Sequence, residues 1–257
     1  MKPSDIVVDV KSAGYRNKLV FENLRIKIPS GKITALLGPN GSGKTTLLKM
    51  LFRRIKYSGK ILIGFKELAE MSNREIARLI SYMGEIALPD MMGLKVFEAL
   101  LISRSSLYRG LIERQEDIRE AEAVLRELGI EHLSERRLDE LSSGELRKVV
   151  LGMALIKHPK YLLLDEPDSH LDMLSRIEIS RIIKKYSGRT TIIIATHDPV
   201  FAVNTAEYFV LLRDGRVVDE GNLERIVGNK SIEKTFGVKL KYIYEDNRLV
   251  GIIPIYD

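Results

Sequence analysis

The sequence predicts an α/β fold in which a parallel sheet carries an antiparallel β subdomain and an inserted α-helical subdomain. Unbroken runs of leucine and β-branched residues in 32–38, 161–166 and 190–196 are typical of strands buried on both faces of a parallel sheet. Apolar and polar residues alternate in 5–10 and 19–28, which predicts antiparallel strands with one buried face. Helical patterns separate the buried runs, and this alternation favours a mixed α/β architecture.

Residues from about 86 to 140 differ from the rest of the chain because they contain helical patterns and no strand pattern. Gly129 ends the longer helical pattern, as glycine commonly does. Apolar residues at helical spacing in 47–55 predict a helix after the first buried strand. Asp214 and Gly215 join two apolar runs in a predicted hairpin. The expected single domain has a catalytic core with its β subdomain in 1–85 and 141–228, a helical subdomain in 86–140 and a C-terminal extension in 229–257.

The composition is that of a chain able to bury a core, since 45% of its 257 residues are hydrophobic and 30% are charged. There are no cysteines, which excludes disulfides, thiolate metal sites and cysteine nucleophiles. The formal net charge of +6 is expected to belong to a solvated surface, because no basic patch is interleaved with aromatic residues as in nucleic-acid binding. No apolar run approaches the ~18–20 residues that span a bilayer, and the N-terminus lacks the apolar core of a signal peptide.

The stretch GPNGSGKTT, residues 38–46, matches the phosphate-binding pattern G-x-x-x-x-G-K-[ST] between a predicted strand and a predicted helix. Glycines in such a loop let backbone amides converge on phosphate oxygens, and the helix N-terminus adds partial positive charge. Lys44 is expected to reach the β- and γ-phosphates, and the Thr45 hydroxyl to coordinate Mg²⁺. This context disfavours a chance match in a glycine-rich turn. The residues expected to contact the nucleotide here are Gly38, Pro39, Asn40, Gly41, Ser42, Gly43, Lys44, Thr45 and Thr46.

Two acidic residues end the buried run YLLLDE and complement the phosphate loop. Asp165 is expected to hold Mg²⁺ through water, and Glu166 to orient or deprotonate the water that attacks the γ-phosphate. Successive strand side chains point to opposite faces, so one carboxylate can serve the metal while the other serves the water. His197 ends the next buried run and is expected to contact the γ-phosphate or organise the water, although a lone histidine is more often structural. The candidate catalytic residues are Glu166, His197 and Lys44.

Five motifs, GPNGSGKT, LSSGE, LLLDEP, SHLD and ATHD, occur in an order and at a spacing that resemble the ATP-binding subunit of an ABC transporter. The resemblance covers essentially the whole chain, and the LSSGE turn is its most specific part. It implies a P-loop NTPase core of the ABC-ATPase type and transport-coupled hydrolysis of ATP, with Mg²⁺. It also implies a head-to-tail homodimer, in which each of two ATP molecules lies between one copy's phosphate loop and the other copy's LSSGE turn.

The resemblance assigns the LSSGE turn to the partner's nucleotide, so that Ser142 and the backbone N–H of Gly144 bind the γ-phosphate in trans. A purely local interpretation is that Ser142 caps a helix and Glu145, three residues on, completes a capping box. The two interpretations are compatible, and we favour both together. Ser143 stands where the family usually has a glycine, and its side chain must fit beside the partner's nucleotide. The expected trans contacts come from Ser142, Ser143, Gly144 and Glu145.

Two further residues match positions that have a known role in the family. Tyr15 matches the aromatic residue that stacks on adenine, although a single tyrosine is also common on a surface. Glu85 stands where the family has a glutamine that contacts Mg²⁺, and a carboxylate is a hard oxygen ligand that can preserve this contact. Its negative charge near the γ-phosphate is expected to slow hydrolysis or shift its pH dependence. The expected metal ligands are Thr45, Glu85 and Asp165.

The C-terminal sequence from Arg225 and the stretch MSNREIARLISYM resemble ATPases of the iron-siderophore, haem and cobalamin uptake group. This implies a subunit bound to the cytoplasmic face of the cell membrane through an integral membrane permease, with an extracytoplasmic solute-binding protein as a further partner. An exporter ATPase and a soluble, non-transport ABC ATPase remain alternatives, because such proteins share the catalytic motifs. A DNA-repair ATPase is disfavoured, because the residues between Lys44 and Ser142 leave no room for a long coiled coil.

Overall fold

The computed structural model describes residues 4–16, 18–84, 93–105, 114–246 and 248–255. Within these ranges the chain forms a six-stranded sheet, a four-stranded sheet, a two-stranded sheet and the helices that pack on them. The strands are β1 (Ile6–Tyr15), β2 (Lys18–Ile28), β3 (Ile33–Leu37), β4 (Tyr57–Ile63), β5 (Lys66–Glu67), β6 (Ile80–Met83), β7 (Tyr161–Asp165), β8 (Thr191–Thr196), β9 (Tyr208–Arg213), β10 (Arg216–Gly221), β11 (Lys239–Glu245) and β12 (Arg248–Ile255). The α-helices are α1 (Lys44–Leu51), α2 (Asn73–Leu79), α3 (Val96–Ser105), α4 (Gln115–Leu128), α5 (Ser143–Leu155), α6 (Met173–Lys185), α7 (Pro199–Thr205), α8 (Leu223–Gly228) and α9 (Ser231–Phe236).

The six-stranded sheet has the strand order β10-β9-β3-β8-β7-β6. Neighbouring strands are parallel except β10, which pairs antiparallel with β9. Every residue of β3, β7 and β8 is buried, as their unbroken apolar runs predict. Parallel strands share one carboxyl edge, so the residues that follow β3, β7 and β8 meet there. The predicted α/β fold with a buried parallel sheet is confirmed.

The four-stranded sheet, in the order β2-β1-β4-β5, is antiparallel throughout. The alternating patterns correctly predicted β1 and β2, but β1 runs on to Tyr15, beyond the predicted end at residue 10. Irregularities of register near Ser12 and Gly14 disturb the apolar alternation while β1 continues to pair with β2. The buried face of this sheet, which includes Phe21, joins Leu48 of α1 in one hydrophobic cluster.

Helix α1 begins after the loop that leaves β3 and packs on β7 and β8. Its apolar residues Leu47, Leu48 and Leu51 are fully buried. The helix ends at Leu51, although the apolar spacing predicts a helix to Ile55. Arg53 adopts a φ of 56° and so turns the chain out of the helix. Helical spacing therefore predicted this helix but not its end.

Helices α3 and α4 lie in the region for which the sequence predicts a helical subdomain. Both pack against α5, and residues of all three helices join a hydrophobic cluster that includes residues of β7 and β8. Gly129 follows α4 with a φ of 67°, a left-handed conformation that glycine adopts freely. The predicted helices are confirmed, while the subdomain boundaries at 85/86, 140/141 and 228/229 stay predictions.

The C-terminal residues form the short helices α8 and α9 and the hairpin β11–β12. The hairpin packs on α7, and its buried residues Leu249 and Ile252 share a cluster with Phe209 of β9. The strand-like end of the sequence is thus a strand. None of the helices in the described part of the chain is long and apolar enough to cross a bilayer.

A buried ion pair joins α3 to α4. Arg104 Nε donates to Asp117 Oδ1 at 2.5 Å, and the two side chains are 6% and 8% exposed. Arg104 Nη1 also donates to the carbonyl oxygen of Ile156, just after α5, at 2.9 Å. Charges withdrawn from water depend on such partners, since an unpaired buried charge is strongly unfavourable. Arg104 of α3 therefore links this helix to α4 and to the C-terminal end of α5.

Replacing Asp117 with alanine is expected to lower the free energy of unfolding by roughly 3 kcal/mol, because Arg104 would stay buried without its nearest carboxylate. The measurement is urea unfolding followed by circular dichroism. Glu135→Ala is the control, because Glu135 forms an exposed ion pair with Lys95 at 2.7 Å and its loss should change stability little. Equal losses in the two variants would contradict the role given to the buried pair.

Candidate active site

The loop between β3 and α1 takes its shape from its glycines. Gly41 and Gly43 have φ values of 79° and 106°, in the left-handed region that other residues disfavour. Gly43 also lies so close to Phe21 that an added Cβ would be 2.7 Å from the ring. An added Cβ at Gly38 would lie 2.0 Å from the carbonyl oxygen of Leu212. The loop can therefore hold its tight turn before the N-terminus of α1 only with glycine at these positions.

Lys44, the first residue of α1, folds back over the loop. Its Nζ donates to the carbonyl oxygens of Gly38 and Pro39, at 2.8 and 2.9 Å. Burial lowers the pKa of Lys44, and the charges of neighbouring carboxylates, that of Glu166 foremost, act against this shift. A cation is thus withdrawn from water at the point where a phosphate would meet the loop amides, which strengthens its attraction for an anion.

Asp165 ends β7 and is buried. Its Oδ1 accepts a hydrogen bond from Thr45 Oγ1 at 2.8 Å, and its Oδ2 accepts one from the Tyr82 hydroxyl at 2.9 Å. Burial raises the pKa of Asp165, and these two hydrogen bonds act against that shift. The Thr45 hydroxyl and the Asp165 carboxylate place oxygen atoms side by side, and such a donor set fits Mg²⁺ when phosphate and water oxygens complete it.

Glu166 follows the end of β7 with a φ of 47°, which is uncommon for residues other than glycine. Its amide donates to the Ala195 carbonyl oxygen at 2.8 Å, which ties this residue to β8. Its carboxylate accepts a hydrogen bond from Ser169 Oγ at 2.7 Å and lies 3.3 Å from His197 Nδ1. Burial raises the pKa of Glu166, but the Ser169 hydrogen bond and His197 outweigh burial, so the pKa is lowered overall. Glu166 is therefore an ionised carboxylate able to accept a proton.

Thr45 and Glu166 line two cavities, while Lys44 lines only the first of them. Both cavities have volumes in the range of small-molecule sites. The first, of about 430 Å³, is lined by Tyr15, Lys18, Leu19, Val20, Asn40, Gly41, Gly43, Lys44, Thr45, Thr46, Glu166, Asp214 and Gly215. The second, of about 420 Å³, is lined by Thr45, Lys49, Tyr82, Arg147, Asp165, Glu166, Ser169 and His170.

The residues of the LSSGE turn, all of which the structure describes, line neither of these cavities. The predicted capping box is present, since the Glu145 amide donates to Ser142 Oγ at 3.3 Å and the Ser142 amide to Glu145 Oε2 at 2.9 Å. Ser143 is exposed. Gly144 packs against α6, where an added Cβ would lie 2.4 Å from Ser175 Oγ. The turn is thus preformed, and it lies outside the two cavities of its own chain.

The remaining predicted residues fall in four places, and Ser42 is buried within the loop. Gly38 and Pro39 supply the carbonyl oxygens that accept from the lysine of the loop. His197 contacts Glu166 and lines neither of the two cavities. Glu85 lies outside the described residues, and its contact with Mg²⁺ stays a prediction.

Several residues at the site were not among those predicted to contact the nucleotide or the metal. Asp214 and Gly215, in the turn between β9 and β10, line the first cavity, and the Gly215 amide donates to the Ser42 carbonyl oxygen at 3.2 Å. Tyr82 and Ser169 donate to the two acidic residues that follow one another at the end of β7. The dipeptide Asp214-Gly215 predicted the turn from the sequence. The contact of this turn with the phosphate loop depends on the strand order of the sheet, in which β9 lies beside β3.

Asp168 is a further buried acid close to the candidate catalytic residues. Thr196 Oγ1 donates to its Oδ2 at 2.8 Å, while its Oδ1 has no hydrogen-bond partner among the described residues. Burial raises the pKa of Asp168, because the buried surroundings disfavour its ionised form. The acid is therefore held at a cost to the folded state at neutral pH.

The sequence is similar along its whole length to ATP-binding proteins of ABC transporters. Residues 21–169 match the family model described as ABC transporter. An uncharacterised ABC transporter ATP-binding protein of Methanocaldococcus jannaschii is 32% identical, over 96% of this chain and 97% of that protein. The iron(3+)-hydroxamate import ATP-binding protein of Bacillus subtilis is 31% identical, over 95% of this chain and 92% of that protein.

The fold is also found in a metal-chelate type ABC transporter solved in an inward-facing conformation. The similar chain of that transporter has a TM-score of 0.82 and a sequence identity of 23%. The match covers 100% of the present chain and 98% of the other. This likeness confirms the predicted fold class from one end of the chain to the other.

Replacing Asp168 with asparagine is expected to raise the free energy of unfolding at pH 7 by about 1 kcal/mol, the scale of a buried polar group without a partner. Asparagine can still accept from Thr196 but carries no charge. Because the pKa of Asp168 is raised in the folded state, its contribution to stability is present below its ordinary value of 3.8 and is lost as the pH rises through the raised value. The gain should therefore shrink as the pH falls towards about 4.

Chemical unfolding of both proteins across this pH range measures the difference. Asp246→Asn is the control, since Asp246 is exposed in the turn between β11 and β12. A stability difference between wild type and Asp168→Asn that does not vary with pH would show that the charge of Asp168 is not its cause.

Proposed function

This chain belongs to the ABC transporter family as an ATP-binding subunit that hydrolyses ATP, and we propose that it powers the uptake of a metal chelate through a separate membrane permease. The observation that carries the catalytic part is the convergence of Lys44 and Thr45 with Asp165 and Glu166 between two cavities. The uptake of a metal chelate is supported by the similarity, over nearly the whole chain, to the iron(3+)-hydroxamate import protein.

The first cavity would take ATP. Tyr15, which is exposed at the end of β1, would stack on the adenine ring. The backbone amides of 41–46 would bind the phosphates at the N-terminus of α1. Lys44 would exchange carbonyl partners for oxygens of the β- and γ-phosphates, since an ammonium group has three protons to donate.

Mg²⁺ would accompany ATP at Thr45 and Asp165, whose oxygen atoms lie 2.8 Å apart. When bound, the ion neutralises charge that develops on the phosphate oxygens. A hydroxyl group has one proton and two lone pairs, so Thr45 can face the ion while it continues to donate to Asp165. Asp165 would hold a water molecule of the ion, as the sequence motif predicts.

Glu166 would orient and deprotonate the water that attacks the γ-phosphate. Its lowered pKa keeps it ionised at neutral pH, and a carboxylate that accepts from Ser169 retains lone pairs for a proton from water. His197, beside Glu166, would contact the γ-phosphate or the same water. Lys44 and the loop amides would stabilise the charge that spreads over the transferred phosphoryl group.

The LSSGE turn would complete the nucleotide site of a second copy. Its serines lie exposed at the N-terminus of α5 and outside the two cavities of their own chain, so they are available to a partner. ATP between one copy's loop and the other's turn would shift monomers towards dimers, because it binds the dimer better. Twofold symmetry then produces two equivalent sites.

Helix α5 offers a route from this dimer to the permease. It begins at the LSSGE turn, and α3 and α4 pack on it. Movement of the turn on closure would therefore carry these helices along and act on a permease bound to them. The proposed location is the cytoplasmic face of the membrane, with an extracytoplasmic solute-binding protein delivering the chelate to the permease.

Replacing Glu166 with glutamine is expected to slow ATP hydrolysis by roughly 100-fold or more, because glutamine cannot take a proton from the attacking water. Glutamine preserves the size of the side chain, so ATP should still bind and a dimer should accumulate. Phosphate release and light scattering with Mg²⁺ and ATP measure the two effects. Glu224→Gln, at an exposed residue of α8, is the control. Hydrolysis at the wild-type rate in Glu166→Gln would exclude Glu166 as the base.

The same variant tests the proposed transport role. A tagged Glu166→Gln protein is isolated with Mg²⁺ and ATP from native membranes solubilised in mild detergent, and its partners are identified by mass spectrometry. Recovery of a polytopic membrane protein is the expected result. Recovery of a complex without any membrane protein would overturn uptake while leaving ATP hydrolysis untouched.

Mixing two inactive variants is expected to restore hydrolysis if each site is shared between copies. Lys44→Ala disables a phosphate loop, and Ser143→Arg obstructs a turn without removing either residue of the Ser142–Glu145 capping box. Half of the dimers in an equal mixture contain one copy of each, and one of their two sites is intact, so about a quarter of wild-type activity should return.

Phosphate release from the mixture measures this recovery. The control mixes Lys44→Ala with a chain that carries both substitutions, a combination without any intact loop. No recovery in the first mixture, or equal recovery in both, would contradict shared and independent sites.

A further inference from the structure

Asp165, which is proposed to hold a water molecule of the Mg²⁺ ion, has a second hydrogen-bond donor that lies outside the five motifs. Thr45 Oγ1, next to the phosphate loop, donates to Asp165 Oδ1 at 2.8 Å. The hydroxyl of Tyr82, on the neighbouring strand β6, donates to Asp165 Oδ2 at 2.9 Å. The two donors therefore approach the carboxylate from different elements. With both oxygens engaged, the carboxylate group cannot rotate without losing a hydrogen bond in a buried position, where such a loss is costly.

The position of Tyr82 is itself closely constrained. Strand β6 pairs in parallel with β7, where Tyr82 is the partner of Leu163, two residues before Asp165. The Tyr82 ring stacks on Phe52, just after α1, with ring centroids 5.6 Å apart and an interplanar angle of 22°. Gly84 lies so close that an added Cβ would be 2.5 Å from Tyr82 Cε1. The pairing of β6 with β7 therefore fixes the position of Tyr82 along the strand, and the packing of its ring fixes the direction of the hydroxyl.

We propose that Tyr82 is a positioning residue for the divalent metal ion that accompanies ATP. Its hydroxyl holds the Asp165 carboxylate in the one orientation in which the other oxygen meets Thr45, so that the Thr45 hydroxyl and the carboxylate that would hold the ion's water are positioned together. This inference rests on the proposed function of Thr45 and Asp165 as the metal site. It adds to the proposed site a residue of β6, a strand separate from both the phosphate loop and the acidic end of β7.

The physical reason is the cost of ordering a ligand at the moment when the ion binds. A carboxylate that is already oriented by an outer hydrogen bond loses less freedom on binding, and it keeps its second oxygen satisfied. Residues that orient metal ligands in this way commonly change metal affinity by 10–100-fold when they are replaced. If Tyr82 served only to satisfy a buried acid, its loss would lower stability and leave metal affinity unchanged.

Tyr82→Phe is the decisive variant, because it removes the hydroxyl and retains the ring that stacks on Phe52. Binding of Mn²⁺ is measured by electron paramagnetic resonance in the presence of a non-hydrolysable ATP analogue, and binding of the same analogue is measured separately in EDTA. The expected result is Mn²⁺ affinity weakened by roughly tenfold, with metal-free nucleotide affinity within about twofold of wild type. Thermal unfolding is recorded for every variant.

Tyr161→Phe is the matched control. Tyr161 lies on the same strand as Asp165, and its hydroxyl donates to the carbonyl oxygen of Ser4 at 2.9 Å, away from the site. This variant loses a partly buried tyrosine hydroxyl as well, so it should match any general loss of stability while leaving Mn²⁺ affinity as in wild type.

Thr45→Val separates failure of this inference from failure of the metal site. If Thr45→Val weakens Mn²⁺ binding and Tyr82→Phe does not, the site stands and the role of Tyr82 is overturned. If Thr45→Val leaves Mn²⁺ binding unchanged, the proposed metal site is wrong, and the role of Tyr82 falls with it. Weakened metal-free nucleotide binding in Tyr82→Phe would also overturn the role, because it would indicate a general disturbance of the loop.

Discussion

The hydrogen bonds to the buried Asp165 carboxylate are the contacts on which the candidate active site depends. A buried carboxylate at the end of a strand is stabilised when both of its oxygens accept hydrogen bonds. Thr45 supplies one from α1 and Tyr82 supplies the other from β6. Through these two hydrogen bonds, Asp165 links the end of β7 to the first turn of α1 and to the neighbouring strand β6.

Burial opposes the charged forms of three ionisable groups at this site, which lowers the stability of the folded protein at neutral pH. Burial lowers the pKa of Lys44 and raises those of Asp165 and Asp168, so each group is held in surroundings that oppose its charge. Glu166 differs, because Ser169 and His197 lower its pKa overall. The proposed catalysis would use both environments, since Lys44 would attract phosphates and Glu166 would deprotonate water. The fully buried strands β3, β7 and β8 contribute hydrophobic stabilisation beside this site.

Helix α5 links this chemistry to the rest of the molecule. The LSSGE turn leads into this helix with a preformed capping box, and α3 and α4 pack on the helix. The buried Arg104 of α3 contacts Asp117 of α4 and the carbonyl oxygen of Ile156, so it links the helical region to the end of α5. A turn that serves a partner's nucleotide and a surface that serves a permease would thus share one rigid element, which suits a subunit that converts ATP binding into movement.

The sequence by itself determined the phosphate loop, the buried strands, the capping box and the hairpin turn, because each depends on the conformation of a few consecutive residues. Glycines allow the positive φ angles of the loop, and apolar periodicity distinguishes strands from helices. Only the tertiary structure decided that Tyr82 meets Asp165, 83 residues away, and that the Gly215 amide reaches the Ser42 carbonyl oxygen. These contacts follow from the order of strands, with β6 beside β7 and β9 beside β3, and strand order arises from packing of the whole chain.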